Sequence, residues 1–458
     1  MKKSIIGFLI IAFLLLACEP STSPSPMPVI ANSPTSIVGN LYYVSPSGSD
    51  ANSGTSASPW KTIQKAINTV PSGTKSLPSV IVVKSGSYSE RPVVLASKSY
   101  ITLLADGIVT VSGFHIARNV GTVIDGFDIS STSSVYVEGF GVWVQGSECV
   151  IRNNNIHDVS WGGILLLYYT SKCQVYGNRM VDNISLVGID VRGNDHLIEN
   201  NEIADVQQRS PYLQSPPSYA DADGIHFHGN NIVLRGNYIH DIPYDGVINV
   251  DTHTDCFQTF DGLTEQPKAV NAIIDSNRCE NVGAVSNEIL TKGVQAQGAV
   301  NLTIINNTLC AAVGMRIASG STFTAENNYL CGSLALPASV VSDCMQFESS
   351  SGKLNGNSCN NFSSWAIRLD SSPNVSGGGN LAINTKIRVG TEYLFSIPVT
   401  VSPTLSPTKT PTSTATPTLT YTPTVTATKT VIVPPSPTAT KKCVKVMVGD
   451  QYVGDYCY

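Results

Sequence analysis

The sequence is short of charge. Only 13% of its 458 residues are Asp, Glu, Lys or Arg, about half the usual share. With a formal net charge of -5 there is no basic footprint for nucleic acid, so contact with a polyanion has to be local. Helical periodicity is nearly absent, which excludes helical bundles and alternating α/β units. No CxxC pair occurs among the 11 cysteines, which argues against a zinc or dithiol motif. Long apolar runs are missing too: the one candidate, in "MKKSIIGFLIIAFLLLAC", is too short for a permanent membrane span.

What is present begins with that segment. Lys2 and Lys3 followed by a short apolar stretch read as an export signal over residues 1–18. "LLAC" resembles the bacterial lipobox, and the resemblance implies cleavage before Cys18, which then carries lipid. Membrane contact would be through that anchor only. Setting Cys18 aside leaves ten cysteines, an even number that suits disulfides in an exported chain.

Residues 19–40 are rich in Ser and Pro, and residues 398–440 repeat Pro and Thr; neither composition can bury a core, so both read as tethers. Residues 441–458 alternate apolar residues around Gly449-Asp450 and predict a hairpin closed by Cys443 and Cys457.

Between the tethers, over 41–397, an "N-x-[apolar or Cys]" unit recurs, usually after Gly or Asn. It falls at Asn154, Asn178, Asn201, Asn237, Asn277, Asn307, Asn328, Asn357 and Asn380, with steps such as 178-154 = 24 and 201-178 = 23. A period of this size marks a solenoid. Each unit is two short strands and a turn, so the expected fold is all-β, a right-handed parallel β-helix with the asparagines stacked in an internal ladder. The same register pairs Cys149 with Cys173 and Cys310 with Cys331 in neighbouring coils, and the matching "DCFQ…NRC" and "DCMQ…NSC" segments pair Cys256 with Cys279 and Cys344 with Cys359. An N-terminal capping helix is expected in "SPWKTIQKAINTV", with Ser58 as N-cap, Pro59 at the first position and Ile63, Ala66, Ile67 and Val70 on the buried face.

"YYVSPSGSDANSGTSASPWKTIQKAI", followed by "VIVVKSGSYSE", resembles the N-terminal segment of secreted right-handed parallel β-helix proteins of the pectate-lyase-like superfamily. The resemblance spans roughly residues 41–395. It implies the fold and a polysaccharide partner. Many members cleave or epimerise acidic polysaccharides, others are glycosidases, and no catalytic signature of a single enzyme family transfers residue by residue.

Aligning the coils on the small residue that opens one strand gives "GVWVQG", "GILLLY", "GIDVRG", "GIHFHG", "CFQTF", "GVQAQG", "GMRIAS", "CMQFE" and "AIRLD". Strand alternation sends the third and fifth residues outward: Trp143/Gln145, Leu165/Leu167, Asp190/Arg192, His226/His228, Gln258/Phe260, Gln295/Gln297, Arg316, Gln346/Glu348 and Arg368/Asp370. An outward strand face is ordinarily just solvated. This one concentrates His, Arg, Asp, Gln and Trp, which suits a groove holding an oligosaccharide, with Trp143, Gln258, Gln295, Gln297 and Arg316 as substrate-binding candidates. Long insertions bracket the His226/His228 coil and predict binding walls there.

Three readings of the chemistry stay open. A polyuronate lyase, the leading one, needs a base and a cation: the base is sought among His226, His228 and His253, or a cation such as Arg192 or Lys292. Calcium would be its cofactor, held by Asp190, Asp223 and Asp255. A glycosidase needs two facing carboxyl groups, drawn from Asp190, Asp223, Asp255 and Glu288. A non-catalytic glycan binder or adhesin needs neither. In each case the expected state is a monomer that does not bind nucleic acid.

Overall fold

The computed structural model describes residues 38–207, 221–242, 254–261, 264–282, 291–332 and 342–396, together with the strand backbones Cys443–Val448 and Gln451–Cys457. Strands dominate, and every pairing among them outside that last antiparallel pair is parallel. Eleven short strands form one sheet, running from Val93–Val94 to Ile367–Asp370, each paired with the equivalent strand of the next coil. The remaining strands make two more ladders, joined into a single 25-stranded sheet through the long strands Ser79–Tyr88 and Ile101–Val111. The chain is a right-handed parallel β-helix. Its core is one continuous column running from Ile81 and Phe114 through Phe227 and Phe257 to Phe347.

The corner between the two smaller ladders explains the repeat. The residue before each ladder asparagine has a positive φ, as at Asn153 (55°), Gly177 (63°), Asn200 (54°) and Gly236 (62°). Gly and Asn enter that region most readily, which is why they precede the repeat residue. The asparagine itself turns inward. Asn178 Oδ1 accepts from the backbone N–H and the Nδ2 of Asn154 at 3.1 and 2.9 Å, and Asn201 does the same for Asn178. The pattern runs unbroken to Asn380, whose amide ends it on the Leu394 carbonyl. Buried backbone groups at a corner have no sheet partner, and this ladder satisfies them.

The capping helix is Ile63–Thr69, shorter than expected. Its N-cap is Thr62, not Ser58, because acceptors distant in sequence take over the helix start: Asp50 receives the Lys61 and Thr62 N–H groups, and Glu90 those of Ile63 and Gln64. Pro59 therefore lies before the helix. Ile63, Ala66 and Ile67 are buried in the core column as anticipated.

Cys256–Cys279, Cys310–Cys331 and Cys344–Cys359 are disulfides. Cys149 and Cys173 depart from expectation: they stack in register but are free, buried thiols. Cys443 and Cys457 are backbone register partners on the terminal antiparallel strands. Cys18, the tethers and the expected signal segment lie outside the described residues. Among the described residues no helix is long and apolar enough to cross a membrane.

Candidate functional site

The eleven-stranded sheet carries the outward column in the anticipated register. His115, Trp143, Leu165, Asp190, His226, Gln258, Gln295, Arg316, Gln346 and Arg368 occupy successive rungs. The strand Asp255–Thr259 fills the rung after His226. His253 and Glu288, candidates for base and carboxyl, lie outside the described residues, as do most of the inserted segments.

Much of this face is covered. The turn Tyr136–Gly139 and Trp161 fold over Trp143 and Leu165, which form a second small apolar cluster with Phe140 and Val187. Trp143 stacks on His115 with ring centroids 3.9 Å apart and is only 9% exposed. The expectation of Trp143 as a sugar-binding residue is therefore corrected: its ring is stacked on His115 and buried in an apolar cluster against which Tyr136 and Trp161 pack. Arg316 is engaged by Glu348 at 2.7 Å, well along the column from the histidines, and Gln297 lies opposite Ala318.

The centre is built from the rungs of Asp190, His226 and Gln258. His226 Nε2 lies 2.6 Å from Asp223 Oδ2, while Asp223 Oδ1 accepts the backbone N–H of Asp255 at 2.7 Å. Asp255 Oδ1 in turn accepts the N–H of Lys292, whose ammonium is 3.7 Å away. The acidic residues before the strands thus have a shared structural task, each holding the backbone of the next coil; Asp343 does the same for Trp365 and also accepts from Gln346. What sets Asp223 apart is that its second oxygen holds a histidine.

Charge at this floor is strongly perturbed. Burial pushes the Asp223 carboxyl up to about 6, against the pull of His226 and with help from the Asp221 and Asp255 charges. Burial opposes the charged form of His226, but its bond to Asp223 and the charges of Asp223, Asp190 and Asp221 outweigh that and raise it above the ordinary histidine value. The two titrate as a pair. Burial drives His228 down to about 3. It is 0% exposed, lies edge-on to Phe260 at 4.7 Å and meets the backbone of Pro267. Asp190 is held by Arg192 through bonds of 2.6 to 3.1 Å, which keep its carboxyl below the usual range despite burial. Arg192 also donates to the Tyr136 hydroxyl at 3.3 Å, tying the covering turn to the floor.

Of the residues expected to hold calcium, Asp190 faces a guanidinium, and Asp223 gives its oxygens to His226 and a backbone N–H, so among the described residues these two are already engaged. Among the described residues no three His, Cys, Asp or Glu side chains converge for a metal. Two groups at the site are not among the sequence candidates: Asp221, whose Oδ2 accepts from Gln258 at 3.3 Å, and Tyr136 of the covering turn. The "DADG" spacing was the available signal for Asp221. For Tyr136 there was none.

No curated protein matches the sequence. Several solved structures are similar at low identity. The A-module of a mannuronan C-5 epimerase from Azotobacter vinelandii shares 13% identity over 68% of this chain and 89% of its own, with a TM-score of 0.49. The catalytic unit of an α-1,3-glucanase from Streptomyces thermodiastaticus shares 14% over 67% of this chain and 63% of its own, at 0.46. A Streptococcus pneumoniae surface adhesin shares 10% over 67% and 83%, at 0.44. Residues 99–261, which carry the rungs of Asp190, His226 and Gln258, match the family described as the right handed beta helix region.

Proposed function

We propose that this protein is an extracellular polysaccharide lyase that cleaves a uronate-containing glycan by β-elimination, with His226 as the proton-transfer group. The observation that carries the reading is the 2.6 Å contact between His226 Nε2 and Asp223 at the floor of the outward column. When Nε2 carries the shared proton, Nδ1 presents the lone pair, and the buried carboxylate favours the imidazolium that forms. His226 is also the least buried member of the dyad, with 16% of its side chain exposed against 0% for Asp223.

The reaction it would run removes the proton next to the sugar carboxylate, breaks the bond to the leaving glycosidic oxygen and forms a carbon–carbon double bond. The same imidazolium can return the proton to that oxygen. Charge building on the substrate carboxylate needs neutralising. Lys292 sits one coil beyond Asp255, and the amides of Gln258 and Gln295 lie on the two rungs after His226. Arg192 is tied to Asp190, so its part is to hold that carboxylate and the Tyr136 turn in place.

A specific observation favours a second reading. A carboxyl pushed to about 6, as at Asp223, with Asp221 and Asp255 close enough to help raise it, is the kind of acid a glycosidase uses. The experiment that separates them offers a panel of polyuronates and neutral glucans to the protein and to His226→Gln. Ultraviolet-absorbing unsaturated ends, lost in the variant, support the lyase. New reducing ends without that absorbance move the assignment to hydrolysis, and silence with retained binding moves it to a glycan-binding surface protein.

Export and anchoring belong to the same proposal. The three disulfides suit an oxidising compartment, and Cys18 would carry the lipid. Metabolic labelling with a fatty-acid analogue, lost in Cys18→Ser, tests it.

A further inference from the structure

A second corner of the solenoid, two residues ahead of the rungs Leu197, Val233, Ile273 and Thr303, is turned left-handed throughout. Asp195, Asn231, Asn271 and Asn301 stand there with φ of 59°, 56°, 55° and 55°. Asp and Asn, after glycine, take that conformation most readily. Their side chains also bond along the axis: Asn231 donates to Asp195 at 2.8 Å, Asn271 to Asn231 at 3.2 Å and Asn301 to Asn271 at 2.9 Å. Toward the N-terminus the register continues through Gln174, Val150, Val123 and Thr102, but the corner is filled differently. Lys172, Glu148 and Tyr100 hold it at φ of 58°, 53° and 52°, with Gly121 between the last two. Three long side chains thus take a backbone conformation that disfavours them, at the position where later coils use Asp and Asn. Sequences break such local rules chiefly at functional sites.

What these side chains enclose is a cavity of about 420 Å³, within the ~300–1,000 Å³ range of small-ligand sites. Thr102, Val123 and Val150 line it, and so does the Tyr100 ring, which lies against Gly121 in space that a side chain there would need. Lys75 reaches in from the loop before Ser79–Tyr88 and pairs with Glu148 at 3.2 Å. Lys172 is exposed and has no acidic partner among the described residues, so the lining carries one net positive charge. The strands below belong to the 25-stranded sheet, so the cavity opens on a different face from the His226 column.

We propose that this cavity is a second, non-catalytic glycan site, which holds an acidic sugar residue with its ring against Tyr100, Val123 and Val150 and its carboxylate at Lys172. An aromatic and two β-branched side chains give a pyranose ring an apolar surface, and Gln174 and Glu148 offer hydrogen-bonding groups to its hydroxyls. The anion follows from the Lys172 charge; that it belongs to a sugar rests on the polysaccharide reading of the protein. Binding here does not depend on chemistry at His226. Its task is to keep a polymer on the protein between encounters with the reacting site.

The test reads the accessibility of Lys172 itself. The full-length chain carrying His226→Gln, so that no ligand is consumed, is acetylated in the presence of tetramers of galacturonate, mannuronate or glucuronate, or of neutral maltotetraose. Peptide mapping by mass spectrometry gives the rate at each lysine. At about ten times its Kd an acidic tetramer should slow Lys172 about tenfold by mass action and leave Lys61, exposed and outside the cavity, unchanged. Adding Glu148→Gln frees Lys75 for the ligand, so half-protection of Lys172 should come at about fivefold lower concentration at low salt, the upper worth of one exposed charge pair. A merely structural Lys75–Glu148 pair predicts no such tightening, and thermal melting checks that the variant is folded. No protection by any acidic tetramer overturns the site, and the His226 reading still stands if the wild-type protein yields unsaturated products. Protection without such products keeps the site and removes the reaction. Equal protection by maltotetraose overturns the acidic assignment, and an unchanged midpoint in Glu148→Gln overturns the role given to charge.

Discussion

Asp223 uses its two carboxylate oxygens for two different tasks: Oδ2 sits 2.6 Å from His226 Nε2, and Oδ1 accepts the backbone N–H of Asp255 at 2.7 Å. The Asp223→Asn variant separates them, since an amide oxygen still accepts from Asp255 while the NH₂ cannot accept from His226. On the proposed mechanism, kcat falls by about 10²–10⁴, while the melting temperature moves by only a few degrees. Steady-state kinetics and a thermal melt on one preparation check both halves.

His228 gives the fold an acid limit. Its folded value of about 3 lies below the ordinary one, so between the two the unfolded chain binds a proton that the folded chain refuses. Stability from this site is complete above the unfolded value and drains away as pH falls toward 3. His228→Phe, which removes the titrating group, should flatten that decline. Urea denaturation across the acid range reads it out.

His157 and His240 act with the opposite sign. Burial opposes their charged forms, but bonds from His157 to Asp158 and Asp128, and from His240 to Glu202 and Asp241, outweigh it and raise both. Their contribution is complete below the unfolded histidine value and is lost as pH rises through the folded one. The double variant His157→Gln, His240→Gln should lose stability mainly on the acid side of that window and converge with wild type above it. Histidine titration by NMR should place both above an exposed histidine.

In the asparagine ladder, Asn237 receives the N–H and Nδ2 of Asn201 and donates to Ile198 and Asn277. Asn237→Ala strands these buried groups together, at a cost of about 3 kcal/mol. Denaturant melts should show it. An exposed corner asparagine such as Asn384, changed to Ala as a control, should cost far less.

The two free thiols predict a chemical pattern. Cys149 and Cys173 should resist alkylation in the folded protein and label together after unfolding without reductant, while the three bonded pairs stay unlabelled. Peptide mapping by mass spectrometry distinguishes this from a fourth bridge.

These features differ in how far the sequence discloses them, and the reason is geometric. A solenoid repeats by translation, so anything that stacks along its axis shows up as spacing: the Asn154–Asn380 ladder, the His226/Gln258/Gln295 column and the three disulfide pairings were all legible. Contacts across the axis leave no period. The helix starts at Thr62 because Asp50, twelve residues upstream, and Glu90, on a later segment, bring acceptors to its first N–H groups, and Trp143 is buried in a cluster that Tyr136 and Trp161 pack against. The partners of Asp190, Asp223 and Asp255 were hidden for the same reason. Seen only as acidic residues near one another they suggested calcium, whereas in place they face Arg192, His226 and backbone N–H groups. For Cys149 and Cys173, register gave proximity correctly and bonding incorrectly.

Hydrolysis adds one water to its products and elimination adds none, so only hydrolysis brings a solvent oxygen into the cleaved bond. Digestion of a polyuronate in oxygen-18-labelled water, followed by mass spectrometry of the oligosaccharides, therefore tests the central claim most directly. The account predicts products one water lighter than hydrolysis would give, carrying no label at the cleaved bond, and none formed by His226→Gln. Products that carry one labelled oxygen each would contradict it and assign the Asp223 carboxyl to glycosidic hydrolysis.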